Sequence, residues 1–376
     1  MTVCVLAILE VFAMVIVSLI DKDDFFDHSE SVYERFNEKD FARFTSAEAD
    51  PLLGWRNYGP RIKKGKDCDG NPVSYQYDAA GARTYTGFEA EEAKIIVVGD
   101  SYTNSSEVND DQAYPARLAA LLGASVASHG TEAFGPVQST LNFERNLSRY
   151  PRAQIAVLTI MYENVYRMMN SYRPVLYDSS SEYLLKPYMA DGELIHHPGV
   201  RVLENLSEFR VEVDKAFDAD YWAKPVADFP YLVSLIKSMG TQYFVYRKLQ
   251  RQFRNLGIPE YFLIYRSSDI ELNLVGIINR FAESALQAGV KPVAVFVPRN
   301  RYDTTSASIF IEENREKMDS RLLLGDVGRH PGTDWVAFNL QEKDSDNLCH
   351  PSVYGYQTIA EYIAVLLRSN GAWPAE

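Results

Sequence analysis

The chain has 376 residues, 46% of them hydrophobic, and a net charge of −13 at neutral pH. The apolar content is ample for a sizeable core, while the acidic balance and the absence of basic clusters interleaved with aromatics argue against nucleic acid as a partner. Three cysteines give no disulfide framework, and no Cys/His cluster has zinc-ligand spacing, so no metal and no cofactor are expected.

Residues 1–20 are nearly all apolar and are followed by the charged run Asp21–Asp24, a segment just long enough to cross a bilayer core of roughly 30 Å. Glu10 interrupts it at a cost in lipid. A single membrane anchor is the first reading, a signal peptide the second and a buried helix the third. Residues 21–92 form a polar, aromatic-spotted extension of short strands and turns that is expected to pack on the core. Its basic run Arg61–Lys66 reads as a solvated loop face, and with Cys4 in the leading apolar segment, Cys68 and Cys349 are left as a possible pair.

From residue 93 to 376 strand and helix signals alternate, as a doubly wound parallel sheet requires. An apolar strand runs from Lys94 to Gly99. The pattern then predicts a helix over Asp111–Leu122, a strand near Ala124–Ser128, a helix over Gly135–Tyr150 and a strand from Ile155 toward Asn164. A long insertion, 172–267, carries many aromatics and a helical stretch Tyr231–Asn255. Its aromatics are expected chiefly to pack its own small core, and less often to stack on sugar rings. The sheet resumes with a helix over Ile270–Ala288 and a strand over Lys291–Pro298. A helix over Ile309–Leu324, a strand over Trp335–Leu340 and a final helix over Gln357–Leu367 complete the chain.

Chemistry-bearing residues fall after strand ends. The first strand stops at Gly99-Asp100-Ser101, where an open α/β sheet gathers its ligands and a serine can be held as nucleophile. By itself the tripeptide reads equally well as a helix-capping turn. His350 precedes Pro351 just ahead of the last helix, an extended setting suited to a general base whose tautomer a carboxylate fixes. His129, in a strand-end loop, reads as structural.

These residues resemble the SGNH hydrolases, the GDSL-type esterases and lipases. Gly99, Asp100 and Ser101 match the first family block fully. Asn164 stands for the block asparagine, with Glu163 and Val165 in place of its usual neighbours. The last block departs from Asp-x-x-His: Asn347 lies three residues before His350, and Asp346 is favoured as its partner ahead of Asn347 and Asp344. For the block glycine, Ala133 is ranked above Gly130, because a backbone donor tolerates alanine if its backbone angles allow.

The resemblance implies a flavodoxin-like three-layer α/β/α fold with a doubly wound parallel sheet, the SGNH hydrolase fold, carrying an N-terminal extension and a helical insertion. It implies catalysis by Ser101, His350 and Asp346, with an oxyanion hole from the Ser101 and Ala133 N–H groups and the Asn164 amide. Tyr162, Tyr166 and Arg167 would lie near substrate without catalysing. The segments Asp50–Arg56 and Tyr75–Arg83 look like the leader of membrane-linked members, which places the catalytic domain on the periplasmic or outer face. The expected activity is serine-dependent hydrolysis or transfer of O-acyl, chiefly O-acetyl, esters, with envelope polysaccharide the leading substrate. A lipase or thioesterase is a further possibility. The rival from another class is a silent member that binds polysaccharide or scaffolds an envelope assembly, and a flavodoxin-like binding module is disfavoured for want of a glycine run.

Overall fold

The computed structural model describes residues 2–20, 25–162, 164–177, 182–196, 203–255, 267–299, 306–341 and 348–374. The chain divides into two compact units: Met1–Trp55 with Met169–Ala190 and Ile195–Gly257, and Arg56–Met168 with Asp191–Leu194 and Ile258–Glu376.

The second unit is built on five parallel strands, labelled in chain order β1 (Ile95–Gly99), β2 (Val126–Gly130), β3 (Ile155–Met161), β4 (Lys291–Val297) and β5 (Leu323–Asp326). Their order across the sheet is β5-β4-β3-β1-β2, with Val97 opposite both Val157 and Ser128. Every residue of β1, β2 and β3 is buried, because helices cover both faces and leave no polar side to alternate with. Ile95 and Val97 join a cluster with Leu118, Ile359 and Ile363. Successive side chains point to opposite faces, so the equally buried Ile96 and Val98 lie under the other helical layer. The helix Tyr114–Leu122 packs on the last helix, Val353–Ser369, and the helix Pro136–Asn146 packs on Ser268–Gln287. This is the three-layer α/β architecture expected from the alternation.

Two elements differ from the sequence expectation. The helix after β4 ends at Asn314, and Leu323–Asp326 becomes the fifth strand; a short apolar run does not distinguish strand from helix by its period. The segment expected as a strand, Trp335–Leu340, begins instead as a helical turn, Trp335–Phe338, because the Asp334 carboxylate accepts the Val336 and Ala337 N–H groups. Asn339–Gln341 then pairs antiparallel with Leu348–Pro351, away from the main sheet.

In the first unit, Tyr183 and Phe209 pack with Phe36, Phe41 and Tyr172 at ring separations of 5.4 to 6.4 Å. The insertion's aromatics thus share a core with Phe36 and Phe41 of the N-terminal extension, which the sequence expectation places on the sheet domain. The expected helix Tyr231–Asn255 divides at Gly240 and Thr241 into Tyr231–Met239 and Gln242–Asn255. Among the described residues no helix is long and apolar enough to cross a membrane, which corrects the expectation of a spanning anchor. Thr2–Leu19 is helical over 18 residues, about 27 Å at about 1.5 Å rise each. Glu10 in its middle turns to the N-terminus of Tyr231–Met239, where it accepts the Tyr231 and Leu232 N–H groups.

Candidate active site

Ser101 opens a four-residue helix, Ser101–Asn104, directly after β1. Asp100 caps that turn, its Oδ1 accepting the Tyr102 N–H at 2.9 Å, so the carboxylate shapes the serine turn. Glycine is required at two points of close approach. A Cβ on Gly99 would lie 2.0 Å from Thr103 Oγ1, and one on Gly130 would lie 2.0 Å from the Asn104 nitrogen. The serine turn therefore sits directly over the ends of β1 and β2. Gly130 serves this packing, and its carbonyl accepts the Asn57 amide at 2.8 Å.

Asp100 is buried, and desolvation raises its pKa against the opposing influence of Arg167, the Asn164 amide, the Tyr102 N–H and His350. Asn164 begins the helical turn Asn164–Met168 after β3 and donates its amide N–H to Asp100 Oδ2. An amide NH₂ carries two donors, and the bond to Asp100 engages one of them. Arg167, on the same turn, donates to the Phe134 carbonyl at 3.3 Å and lies 3.0 Å from where a Cβ on Gly135 would stand, bracing the loop after β2. The Tyr162 hydroxyl donates to Asp326 Oδ1 at 2.6 Å, a buried structural contact.

Within the loop after β2, Ala133 has φ of +68°. This left-handed conformation favours glycine. Next to it, Glu132 accepts from Lys63 Nζ at 2.8 Å and Ser106 Oγ at 3.1 Å. Burial pushes its carboxyl up, but Lys63, Ser106 and His350 outweigh that and hold it below the usual range.

His350 lies on the strand Leu348–Pro351, which packs against the serine turn. Its ring meets Tyr102 edge-on at 5.9 Å. Its Nδ1 is 2.8 Å from Glu107 Oε1. Glu107 has φ of +68° in a loop held from two sides. Buried Arg83 donates to the carbonyls of Asn104, Ser105 and Val108, and the Tyr356 hydroxyl donates to the Ser106 carbonyl at 3.0 Å. A disulfide joins Cys68 to Cys349, the residue before His350. Its sulfurs lie within 4.8 Å of the Glu107 carboxylate.

The fold thus gathers Ser101, Asn164, Ala133 and His350 at the carboxyl edge of the sheet. Asp346, with Asn347 and Asp344, lies outside the described residues. Glu107 was missed by the sequence reading because nothing local marks an acid 243 positions from its histidine. His129 is structural as expected: its Nε2 bonds the Tyr150 hydroxyl at 2.6 Å, and burial, with Arg145 and Arg149 nearby, lowers its pKa to about 3.

No family model and no curated protein matches this chain. Among solved structures it is similar to one from Desulfitobacterium hafniense DCB-2 described as a "putative lipolytic protein of G-D-S-L family". The identity is 11% and the TM-score 0.35, over 73% of this chain and 99% of that one.

Proposed function

We propose that the protein is a serine-dependent esterase or O-acyltransferase of the SGNH type. The observation that carries this reading is the Glu107–His350 pair at 2.8 Å on a strand packed against the serine turn. Ser101 Oγ attacks the ester carbonyl while His350 Nε2 takes its proton, giving a tetrahedral oxyanion. Collapse of that oxyanion expels the alcohol, which His350 protonates, and leaves an acyl-serine. Water or a second hydroxyl, deprotonated by the same histidine, then removes the acyl group. Glu107 orients the imidazole and stabilises its cation. The oxyanion is met by the N–H groups of Ser101 and Ala133 and the amide of Asn164. In this reading Glu107 fills the role assigned from sequence to Asp346.

Ser101 is buried, and O-acetyl esters of envelope carbohydrate are the leading substrate. The Cys68–Cys349 disulfide supports an oxidising, extracytoplasmic setting, and the apolar helix Thr2–Leu19 supports attachment to a membrane surface.

Labelling by a fluorophosphonate probe, followed by acetate release from short acyl esters, tests the reading. Labelling of the wild type that disappears in Ser101→Ala and His350→Ala is the expected result. A folded wild type that neither labels nor releases acetate overturns it in favour of a silent polysaccharide-binding protein.

A further inference from the structure

Three helices of the first unit are labelled here in chain order: α1 (Thr2–Leu19), α2 (Tyr231–Met239) and α3 (Gln242–Asn255). One face of α1 packs along α2. On that face Ala13 and Val17 are 1% and 4% exposed, and Glu10 one turn earlier receives two of the N–H groups that the start of α2 would otherwise leave unpaired. Away from that face α1 presents mainly apolar side chains to the outside, with Ile8, Phe12 and Leu19 exposed by 68%, 63% and 79%.

The second helix is reversed relative to a water-facing one. Its inward positions are polar: Ser234 and Ser238 are buried, and their hydroxyls bond Asp228 Oδ1 at 2.8 Å and the Phe25 carbonyl at 2.5 Å. Its outward positions are apolar: Val233, Ile236 and Met239 are exposed by 45%, 62% and 51%, and Phe229 just ahead by 73%. Polar groups satisfied internally and apolar groups turned outward are what a hydrocarbon solvent demands. Lys237, between Ile236 and Met239 in the chain, is exposed as well. Beyond α2, α3 carries Arg247, Lys248, Arg251 and Arg254 and no acidic residue, although the chain as a whole has a net charge of −13.

We propose that α1 and α2 together form a membrane-contact surface that enters one leaflet without crossing the bilayer, its occupant being the acyl chains of an anionic membrane whose headgroup charge complements the basic sequence of α3. This deepens the membrane attachment proposed for α1 by adding α2, and it does not depend on the esterase chemistry.

The test uses the full chain with Cys4→Ser, so that the disulfide leaves one reactive thiol at an introduced cysteine. An environment-sensitive nitrobenzoxadiazole label is placed in turn at Phe12→Cys on α1, Ile236→Cys on α2 and Val336→Cys, a position 84% exposed in the second unit. Vesicles of phosphatidylcholine with phosphatidylglycerol are expected to blue-shift the labels at 12 and 236, with quenching by chain-attached spin labels, and to leave 336 unchanged. Vesicles of phosphatidylcholine alone are expected to produce a smaller shift at both. A shift at 12 with none at 236 overturns the proposal while sparing attachment through α1, and no shift at either overturns both. A shift at 236 that grows with protein concentration in the absence of lipid makes the occupant a second copy of the chain and also overturns it.

Discussion

Glu107 Oε1 lies 2.8 Å from His350 Nδ1, an acid–base contact between the loop after the serine turn and the strand before the last helix. The acid is held in a left-handed backbone conformation that costs free energy and persists because Arg83 and Tyr356 fix the surrounding carbonyls. Glu107→Gln keeps the shape and removes the charge. It is expected to lower kcat by up to about 10⁴-fold, the scale seen when a triad carboxylate becomes an amide, with a small change in KM. Asp346→Asn, measured beside it, is expected to leave kcat close to wild type; the reverse ranking would return the orienting role to Asp346.

The Cys68–Cys349 disulfide ties the histidine strand to the hairpin formed by Arg61–Lys66 and Pro72–Tyr77. A constraint next to His350 limits how far the imidazole can wander from its acid, and small displacements are costly in catalysis. Reduction, or Cys68→Ser, is expected to lower esterase turnover and to destabilise the fold by roughly 2–5 kcal/mol. Acetate release before and after reduction, with urea unfolding of the same samples, checks both. Unchanged turnover in the reduced, folded protein would remove the disulfide from the positioning of His350.

Ala133 occupies φ of +68°, where a Cβ is unfavourable by about 1–2 kcal/mol. Ala133→Gly is therefore expected to raise stability by up to about 1 kcal/mol and to keep activity. Ala133→Val, β-branched at the same angle, is expected to destabilise the loop and reduce turnover. Denaturant midpoints and kcat for the two variants decide the matter, and a stabilised valine variant would contradict the conformation assigned to this loop.

His129 is buried and its pKa falls from 6.5 to about 3. In the unfolded chain the imidazole binds a proton near pH 6.5, whereas the folded chain refuses it until about pH 3. Between those limits the unfolded state binds more protons, so stability declines as pH falls through the window, by up to about 1.4 kcal/mol per unit. Unfolding free energy followed from pH 7 to 4 is expected to fall more steeply in the wild type than in His129→Gln. Equal slopes would mean that His129 titrates normally in the folded protein.

Much of this molecule was decided locally. The apolar runs Ile95–Val98 and Ile155–Met161 had to be buried strands, because no polar alternation offers water a face. The abrupt change at Gly99-Asp100-Ser101 had to be a turn at the sheet's carboxyl edge, since Gly99 alone fits beneath Thr103. His350 before Pro351 was legible for a similar reason, steric restriction of a neighbour. What only the tertiary structure decided are relations between distant segments. Glu107 meets His350 because the chain returns after 243 positions, and neither residue carries a local mark of the other. The fifth strand is Leu323–Asp326 because an open edge beside β4 accepts it, although its two leucines suit a helix equally. The left-handed backbone of Ala133 and the packing of Gly130 on the serine turn are likewise invisible in the local sequence. Glu10, a liability in an apolar helix when read along the chain, finds its purpose at the start of a helix more than two hundred residues away. Neighbouring residues set backbone preference and burial period, but the pairing of charges depends on where the folded chain crosses itself.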